Sequence, residues 1–264
     1  MNKEDNLTNK KVDELYTLLN EQKQNKSKIF LIPLSILFAG MLIGGSILYN
    51  GKIQPPTNTS AQITSVTTTP LSSSYTTATV SLAASQVEGS NKNAAFAIVE
   101  FSDFQCPYCD QFFKQSLPQL ESNYIKNGKV LHFFKDFPLT TIHPNAMPGA
   151  IAARCAGDQG KYWQMHDKIY ETDQATNDTA KLATYAQALN LNNEEYNSCV
   201  NDNKFNSQIQ INIDQGNKLG VQGTPTFVIG KIDKKHNSVT GTVLYGAYPY
   251  DQYRLVLDEI IKKG

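Results

Sequence analysis

The chain has 264 residues, and its 24 Lys and Arg balance 24 Asp and Glu, so its formal net charge is zero. A net charge of zero places the chain outside the strongly basic class that is typical of nucleic-acid-binding proteins. No nucleic-acid partner is therefore expected. The four cysteines permit two disulfides, but a chain this long is not a miniprotein held together by cysteines, so the pairs need another explanation. They are Cys106, Cys109, Cys155 and Cys199.

The N-terminal part predicts a cytoplasmic tail over residues 1–28 and a transmembrane helix over residues 29–49. The latter segment has 21 residues and no charge, which suffices to cross a hydrocarbon core of about 30 Å at about 1.5 Å per residue. More lysines lie just before the segment than just after it, namely Lys23, Lys26 and Lys28 against Lys52. The positive-inside rule therefore predicts a single-pass protein of the cell membrane, with the N-terminus cytoplasmic and the remainder outside.

A cleaved signal peptide is the alternative interpretation of residues 29–49. The apolar stretch exceeds the usual 7–15 residues of such peptides, and no small-residue cleavage site follows closely. We therefore favour an uncleaved signal anchor that is held in membrane lipid. Residues 50–91 are rich in Ser and Thr and predict a flexible linker, because such a stretch buries too little apolar surface to offset the entropy of ordering.

Residues 92–264 predict a folded domain that contains both strands and helices. Short apolar runs predict strands over residues 94–101, 130–134, 226–229 and 239–245. Helical spacing predicts helices over residues 110–126, 143–203, 205–219 and from 251 onward, with a kink at Pro118 and N-caps at Asp178, Asn193 and Asp251.

The segment Cys106-Pro107-Tyr108-Cys109 lies where a strand is expected to end and a helix to begin. Unpaired N–H groups and the helix dipole favour negative charge at a helix N-terminus, so Cys106 is expected to be an acidic thiol. Pro107 suits the first helical turn because its missing N–H has no partner there. A zinc site and a purely structural disulfide are the alternatives, but the other cysteines and the histidines lack short ligand spacing.

Two further features fit redox chemistry at this pair. Glu100 precedes Cys106 by six residues on an apolar strand, and a buried carboxylate there could exchange a proton with Cys109. The alternative is a Glu at a strand end that reaches solvent. Thr224 and Pro225 precede another strand, and a cis bond between them would turn the backbone toward the cysteines and leave Thr224 N–H and C=O for an extended substrate.

Four segments together resemble the DsbA-like branch of the thioredoxin superfamily, and most closely its membrane-tethered bacterial proteins. They are AIVEFSDFQCPYC, KDFPL, AARCAGDQGKYWQMHD and GTPTFVIG. The resemblance covers about residues 94–263 and implies a thioredoxin-like α/β fold with an inserted helical domain at about 143–203. It also implies an exposed nucleophile at Cys106, a buried partner at Cys109, a buried acid at Glu100 and a cis Pro225.

The resemblance further implies a protein disulfide oxidase that needs no metal or organic cofactor. Its substrates would be reduced or misoxidised exported proteins, and a membrane quinone-linked oxidase of the DsbB or vitamin K epoxide reductase type would reoxidise it. Strong oxidants of this branch carry His where this chain has Tyr108, so we expect a milder potential, roughly −120 to −230 mV. A reductase or isomerase fed by a membrane electron donor, and a tethered non-catalytic chaperone or binding domain, remain alternatives.

Cys155 and Cys199 both fall within the predicted helical insertion. Outside the cytoplasm such a pair is expected to be oxidised, which predicts a structural disulfide between two helices. Two buried free thiols are the alternative.

Overall fold

The computed structural model describes residues 76–91, 93–173 and 177–263. The predicted tail, the predicted transmembrane helix over 29–49 and most of the predicted linker lie outside these residues. In the part of the chain that is described, no helix combines the length and the apolar character needed to span a bilayer.

The described residues form one six-stranded sheet in the order β1-β6-β5-β3-β4-β2. Its strands are β1 (Thr77–Ser81), β2 (Gln86–Glu88), β3 (Phe96–Ser102), β4 (Val130–Asp136), β5 (Thr226–Asp233) and β6 (Ser238–Tyr245). Strands β3 and β4 are parallel, and every other pair is antiparallel. All seven residues of β3 are buried, as its apolar run predicts for a central strand covered on both faces.

Helices cover both faces of the sheet. They are α1 (Pro107–Gln115), α2 (Leu117–Leu120), α3 (Ala146–Asp158), α4 (Tyr162–Tyr170), α5 (Thr179–Ala188), α6 (Asn193–Asn201), α7 (Asn206–Leu219) and α8 (Tyr250–Lys263). Helices α3 to α6 form the predicted insertion between β4 and α7. The prediction of an α/β fold with a helical insertion is confirmed by this order of elements.

The two faces of the sheet have separate cores. On one face, Ile98 and Phe227 pack with Phe112 of α1 and Leu257 of α8. On the other face, valines of β3 and β5 pack with Leu219 of α7. Side chains alternate along a strand, so Glu100 lies on the same face as Ile98, the face that α1 covers.

The predicted flexible linker over 50–91 is wrong from Thr77 onward. Thr77–Ser81 pairs with β6 and Gln86–Glu88 pairs with β4, so both are outer strands of the sheet. The Ser and Thr content suggested disorder, but Thr is β-branched and favours strands once a neighbouring strand offers its hydrogen bonds. The folded domain therefore begins at least fifteen residues before the predicted start at 92.

The helix predicted over 110–126 starts earlier and is interrupted. It begins at Pro107 and breaks at Ser116, two residues before Pro118, whose ring cannot donate a backbone hydrogen bond. A π-helical turn at Glu121–Ile125 completes the segment. Of the predicted N-caps, Asp178 accepts from Lys181 N.

The other two predicted N-caps are each wrong by one position or more. Asn192, rather than Asn193, caps α6 by accepting from the backbone N–H groups of Glu194 and Glu195. Asp251 lies inside the first turn of α8, where its charge favours the helix dipole.

Two buried cations hold the connection between β1 and β2. Lys135 donates from Nζ to the carbonyl of Ala83 at 2.8 Å, and Arg154 donates from Nη2 to the carbonyl of Ala84 at 2.7 Å. Arg154 also donates from Nε to Asp136 Oδ2 at 2.6 Å. Burial lowers the pKa of Lys135 to about 7. The backbone of this connection thus supplies acceptors that the buried cations need.

Candidate functional site

The two cysteines of the Cys-Pro-Tyr-Cys segment lie at the start of α1. Cys106 is the N-cap residue, with φ −77° and ψ 124°, and Pro107 begins the helix. Cys106 is only 4 % exposed and Cys109 is 1 % exposed. The expectation that Cys106 is exposed is therefore wrong. The Cys106 sulfur lies against the loop at Thr224, which leaves little of the residue open to solvent.

The surroundings shift the pKa values of the two thiols in opposite directions. A hydrogen bond from the Cys109 thiol is the largest influence on Cys106; with help from Thr224 and the N–H groups of Cys109 and Tyr108, it outweighs burial and lowers the pKa of Cys106 to about 6. Burial raises the pKa of Cys109 well above its usual value, and the charges of Cys106 and Glu100 add to this. At neutral pH the pair thus holds one thiolate, on Cys106, and one thiol, on Cys109.

The loop before β5 faces the dithiol. The Thr224–Pro225 peptide bond is cis, and the Cys106 thiol donates to the Thr224 carbonyl at 3.2 Å. The carbonyl accepts this hydrogen bond only while Cys106 is a thiol, and neither the thiolate nor the disulfide can donate it. The expectation that Thr224 pairs with an extended substrate therefore stays a prediction. Beside it lies a cavity of about 620 Å³ whose lining includes Tyr108, Thr224, Pro225 and Tyr245.

Glu100 is buried on β3, with a side chain only 3 % exposed, so it does not reach solvent at a strand end. Its Oε2 lies 2.9 Å from Nε2 of His132 on β4. The negative charge of Glu100 is one of the causes that raise the pKa of Cys109. The structure therefore places the predicted acid where it acts electrostatically on the second cysteine.

Asp103 and His143, which were not predicted as site residues, hold the loop between β3 and α1. Asp103 accepts from Gln105 N and from Leu139 N, both at 2.7 Å, and its Oδ2 lies 2.9 Å from His143 Nδ1. This fixes the backbone that leads into Cys106, whose N–H donates to the Asp103 carbonyl. The only sequence signal for this role was an Asp close before the first cysteine. It was not sufficient, because the partners of Asp103, Leu139 and His143, are 36 and 40 positions away.

His132 was also missed as a residue of the site. It is fully buried and lies between Glu100 and Glu88, with Nδ1 3.4 Å from Glu88 Oε2. The run VLHFF predicted a buried strand, and a His within it was a signal that needed partners on other strands to be interpreted.

The second cysteine pair forms a disulfide. Cys155 of α3 and Cys199 of α6 are joined with an S–S distance of 2.03 Å and are 44 positions apart. The disulfide therefore closes the helical insertion on itself. Among the described residues, no group of three or more His, Cys, Asp and Glu side chains is placed to hold a metal ion.

Comparison with known proteins gives three informative relatives. The chain is 33 % identical over 138 residues to "Na(+)/H(+) antiporter NhaA 1" of Salinispora arenicola, a match that covers 52 % of this chain and 20 % of that protein. It is 28 % identical over 145 residues to "Probable disulfide bond formation protein D" of Bacillus anthracis, covering 52 % of this chain and 66 % of that protein. The matches thus span a fifth to just under two thirds of these relatives' own lengths.

The third relative is a solved structure. Wolbachia pipientis alpha-DsbA1 superposes with a TM-score of 0.59 at 25 % identity, covering 68 % of this chain and 92 % of that chain. The resemblance to DsbA-like proteins is confirmed. The sequence profile of the thioredoxin family matches residues 85–241, more than half of the chain and including the dithiol and the cis Pro225. The chain belongs to the thioredoxin family.

Proposed function

We propose that this chain is a thiol–disulfide oxidoreductase that forms disulfides in exported proteins through Cys106 and Cys109. The observation that carries the proposal is the opposite shift of the two thiols, with the pKa of Cys106 lowered to about 6 and that of Cys109 raised well above its usual value. A stabilised Cys106 thiolate favours the dithiol form over the disulfide, which makes the disulfide more oxidising.

The reaction begins with the Cys106–Cys109 disulfide. A substrate thiolate attacks Cys106 Sγ, the bond between the two cysteines breaks, and Cys109 leaves and takes up a proton, which we assign to Glu100. A second substrate thiolate then attacks the mixed disulfide, and Cys106 departs as a thiolate. The substrate loses two electrons and forms a disulfide, and the chain gains them as a dithiol. The low pKa of Cys106 speeds its departure.

We assign substrate recognition to the cavity beside the dithiol. Tyr108 is 62 % exposed and Tyr245 is 49 % exposed, so two aromatic rings flank the cavity lined by Thr224 and Pro225. An extended, partly apolar segment of an unfolded protein suits such a surface, because its backbone can pair with the loop before β5 while its side chains contact the rings.

The cellular setting follows from the N-terminal prediction. A transmembrane anchor at residues 29–49 would hold the domain on the outer side of the cell membrane, where exported proteins emerge. A membrane quinone-linked oxidase of the DsbB or vitamin K epoxide reductase type would then accept the two electrons from the dithiol. The similarity to "Probable disulfide bond formation protein D" of Bacillus anthracis supports the direction toward disulfide formation.

A reductase or isomerase is the second candidate. Tyr108 stands where a His would further stabilise the thiolate, so the disulfide is expected to be a milder oxidant, and a milder oxidant is closer to the reductase range. A tethered chaperone that has lost turnover is disfavoured by the acidic thiol, since a binding domain has no use for a lowered pKa.

The deciding experiment equilibrates the full chain with glutathione buffers and counts free thiols after rapid alkylation. We expect a midpoint of roughly −120 to −230 mV. A midpoint near −270 mV would make the chain a reductase. The Cys155→Ala/Cys199→Ala variant is the matched control and should titrate like the wild type, whereas Cys106→Ala should show no transition. A Cys106→Ala variant that keeps the cellular phenotype would favour the chaperone instead.

A further inference from the structure

Two buried hydroxyl groups lie beside Cys109, one from the sheet and one from the helical insertion. Ser102 Oγ on β3 is 3.2 Å from the hydroxyl oxygen of Tyr170 on α4. Ser102, Tyr170 and Cys109 are each 1 % exposed. At this depth polar groups depend on their protein neighbours for hydrogen bonds, because bulk solvent does not reach them.

The sheet brings the Ser102 hydroxyl to the second cysteine. Ser102 is two positions beyond Glu100 on β3, so its side chain points to the same face of the sheet, the face that α1 covers. Cys109 lies in the first turn of α1. Burial and the contact with Cys106 raise the pKa of Cys109, and a hydrogen bond from the Ser102 side chain counteracts them.

Aromatic packing fixes the position of the Tyr170 hydroxyl. The Tyr170 ring stacks on Phe113 of α1 with 5.2 Å between the ring centroids, and it contacts the Phe104 ring at the same distance. Its hydroxyl donates to the carbonyl of Asp103 at 3.1 Å. Burial raises the pKa of Tyr170 well above its usual value, so the hydroxyl keeps its proton and remains a donor.

Each hydroxyl has one proton and two acceptors within reach. Ser102 can donate to the Tyr170 oxygen or to the Cys109 sulfur. Tyr170 can donate to the Asp103 carbonyl or to Ser102 Oγ. The Asp103 carbonyl also accepts from the N–H of Cys106 at 3.0 Å, so it keeps a partner when Tyr170 turns away. Both hydroxyls can therefore rotate without leaving a buried group unpaired.

We propose that Ser102 donates a hydrogen bond to the sulfur of Cys109 as that sulfur leaves the active-site disulfide, and that Tyr170 positions Ser102 for this. The inference rests on the proposed function and adds a catalytic residue to it. When the sulfur–sulfur bond breaks, Cys109 carries away the electron pair as a thiolate. The Ser102 O–H turns to this thiolate, and the Tyr170 O–H turns to Ser102 Oγ. Each oxygen keeps its own proton throughout.

The departing thiolate needs a donor because its surroundings oppose a negative charge. Cys109 is enclosed by protein, and burial is the largest cause of its raised pKa. A less basic thiol leaves faster in disulfide exchange, and a hydrogen bond to a charged group changes an equilibrium constant about tenfold. Ser102 therefore speeds the opening of the disulfide and has no part in the later departure of Cys106.

The test measures two steps of exchange separately in the full chain. The first measurement is the rate at which excess glutathione reduces the Cys106–Cys109 disulfide, which requires Cys109 to leave; free thiols are counted after acid quenching. The second is the rate at which glutathione releases Cys106 from a mixed disulfide with glutathione in a Cys109→Ala background. No second sulfur is present there for Ser102 to contact.

Two variants remove one hydroxyl each, and each has a matched control. Ser102→Ala is the main variant and Tyr170→Phe is the second. Ser116→Ala is the control for the first, since it removes a buried hydroxyl that donates to the carbonyl of Tyr248. Tyr185→Phe is the control for the second, because its hydroxyl bonds other residues of the insertion. Both controls should react at the wild-type rate.

We expect Ser102→Ala to slow reduction of the disulfide about fivefold, since the leaving sulfur carries part of a full charge in the transition state. Release of Cys106 in the Cys109→Ala background should be unchanged. Tyr170→Phe should slow reduction about threefold, and the double variant should be no slower than Ser102→Ala, because Tyr170 acts through Ser102.

Equal slowing of both steps by Ser102→Ala would overturn the proposal, because it would show that the loop before Cys106 had been disturbed. Effects that multiply in the double variant would overturn the role of Tyr170. If Ser102→Ala does not fold, Tyr170→Phe decides alone, and a wild-type rate of reduction contradicts the proposal.

The two proposals fail in distinguishable ways. If the wild-type disulfide does not exchange with glutathione at all, the proposed function is wrong. If the wild type exchanges readily while Ser102→Ala and Tyr170→Phe match it, the proposed function stands and only the role of the two hydroxyls is wrong.

Discussion

The Cys106 thiol donates a hydrogen bond to the carbonyl oxygen of Thr224 across 118 positions of sequence, with 3.2 Å between sulfur and oxygen. Thr224 also has a buried hydroxyl, which has no hydrogen-bond partner among the described residues. A hydrogen bond from the Thr224 side chain is one of the causes that lower the pKa of Cys106. The Thr224 carbonyl thus accepts from the Cys106 thiol, and the Thr224 hydroxyl is left to donate to the sulfur once Cys106 is a thiolate.

Thr224→Val removes the hydroxyl and keeps the shape of the side chain. We expect the pKa of Cys106 to rise by about one unit from its value of about 6, because a hydrogen bond to a charged group contributes roughly 1.5 kcal/mol. The pH dependence of thiolate absorbance measures this directly. Thr226→Val is the matched control, as its hydroxyl bonds the Gly223 carbonyl and not the sulfur; an equal shift in both variants would contradict the assignment.

The stability of the dithiol form should depend on pH through Cys106. Its pKa of about 6 in the folded state is below the ordinary value of 9.0. The thiol therefore loses its proton at a lower pH in the folded state than in the unfolded state. The stabilisation is absent below about pH 6, grows by about 1.4 kcal/mol per unit between 6 and 9, and is complete above 9. Urea unfolding of the reduced chain at pH 5 and pH 7.5 should therefore separate wild type from Cys106→Ser by about 2 kcal/mol.

This comparison needs the variant because other groups also titrate over that range. Cys106→Ser keeps the size of the side chain but does not ionise, so the difference between the two proteins isolates the thiol. If both proteins gain the same stability between pH 5 and pH 7.5, Cys106 ionises like an ordinary cysteine.

Arg154→Met is expected to lower the free energy of unfolding by about 3–5 kcal/mol. The guanidinium is buried and bonds both Asp136 and the Ala84 carbonyl, and its loss leaves a buried carboxylate without its cation. Lys204→Met is the matched control. Lys204 pairs with Asp158 at the surface with more than half of its side chain exposed, so its loss should cost less than about 1 kcal/mol. Equal costs in urea unfolding would contradict this contrast.

Removing the Cys155–Cys199 disulfide should affect stability and leave the redox site unchanged. The closed loop spans 44 positions, and the chain-entropy relation predicts a loss of about 4 kcal/mol for the Cys155→Ala/Cys199→Ala variant. Thermal unfolding measures the loss. The glutathione midpoint of Cys106 and Cys109 should stay at the wild-type value, and a shifted midpoint would show that the insertion acts on the site.

The sequence predicted those parts of the site that depend on neighbours along the chain. Cys106 and Pro107 begin a helix because Pro fixes φ near the helical value and keeps the preceding residue extended, as an N-cap residue is. Gly220 ends α7 in a left-handed conformation, which glycine adopts without strain. These features are set within one or two turns of backbone, which local patterns describe well.

The parts that were missed depend on contacts distant in sequence. Glu88 meets His132 only because β2 pairs with β4 in one particular register, 44 positions away. Likewise Asp103 holds the loop before Cys106 through His143, 40 positions away. A polar residue reveals no such partner by itself, and the Thr-rich composition of β1 concealed a strand whose hydrogen bonds all go to β6.

Lys135 and Arg154 donate hydrogen bonds to the carbonyls of Ala83 and Ala84. These bonds limit how many N-terminal residues can be removed from a recombinant fragment. A fragment cut at residue 92, where composition placed the boundary, would lack both outer strands, Glu88 and the carbonyls that these two cations require. Such a fragment should be poorly folded. A cut ahead of Thr77 retains all of these groups.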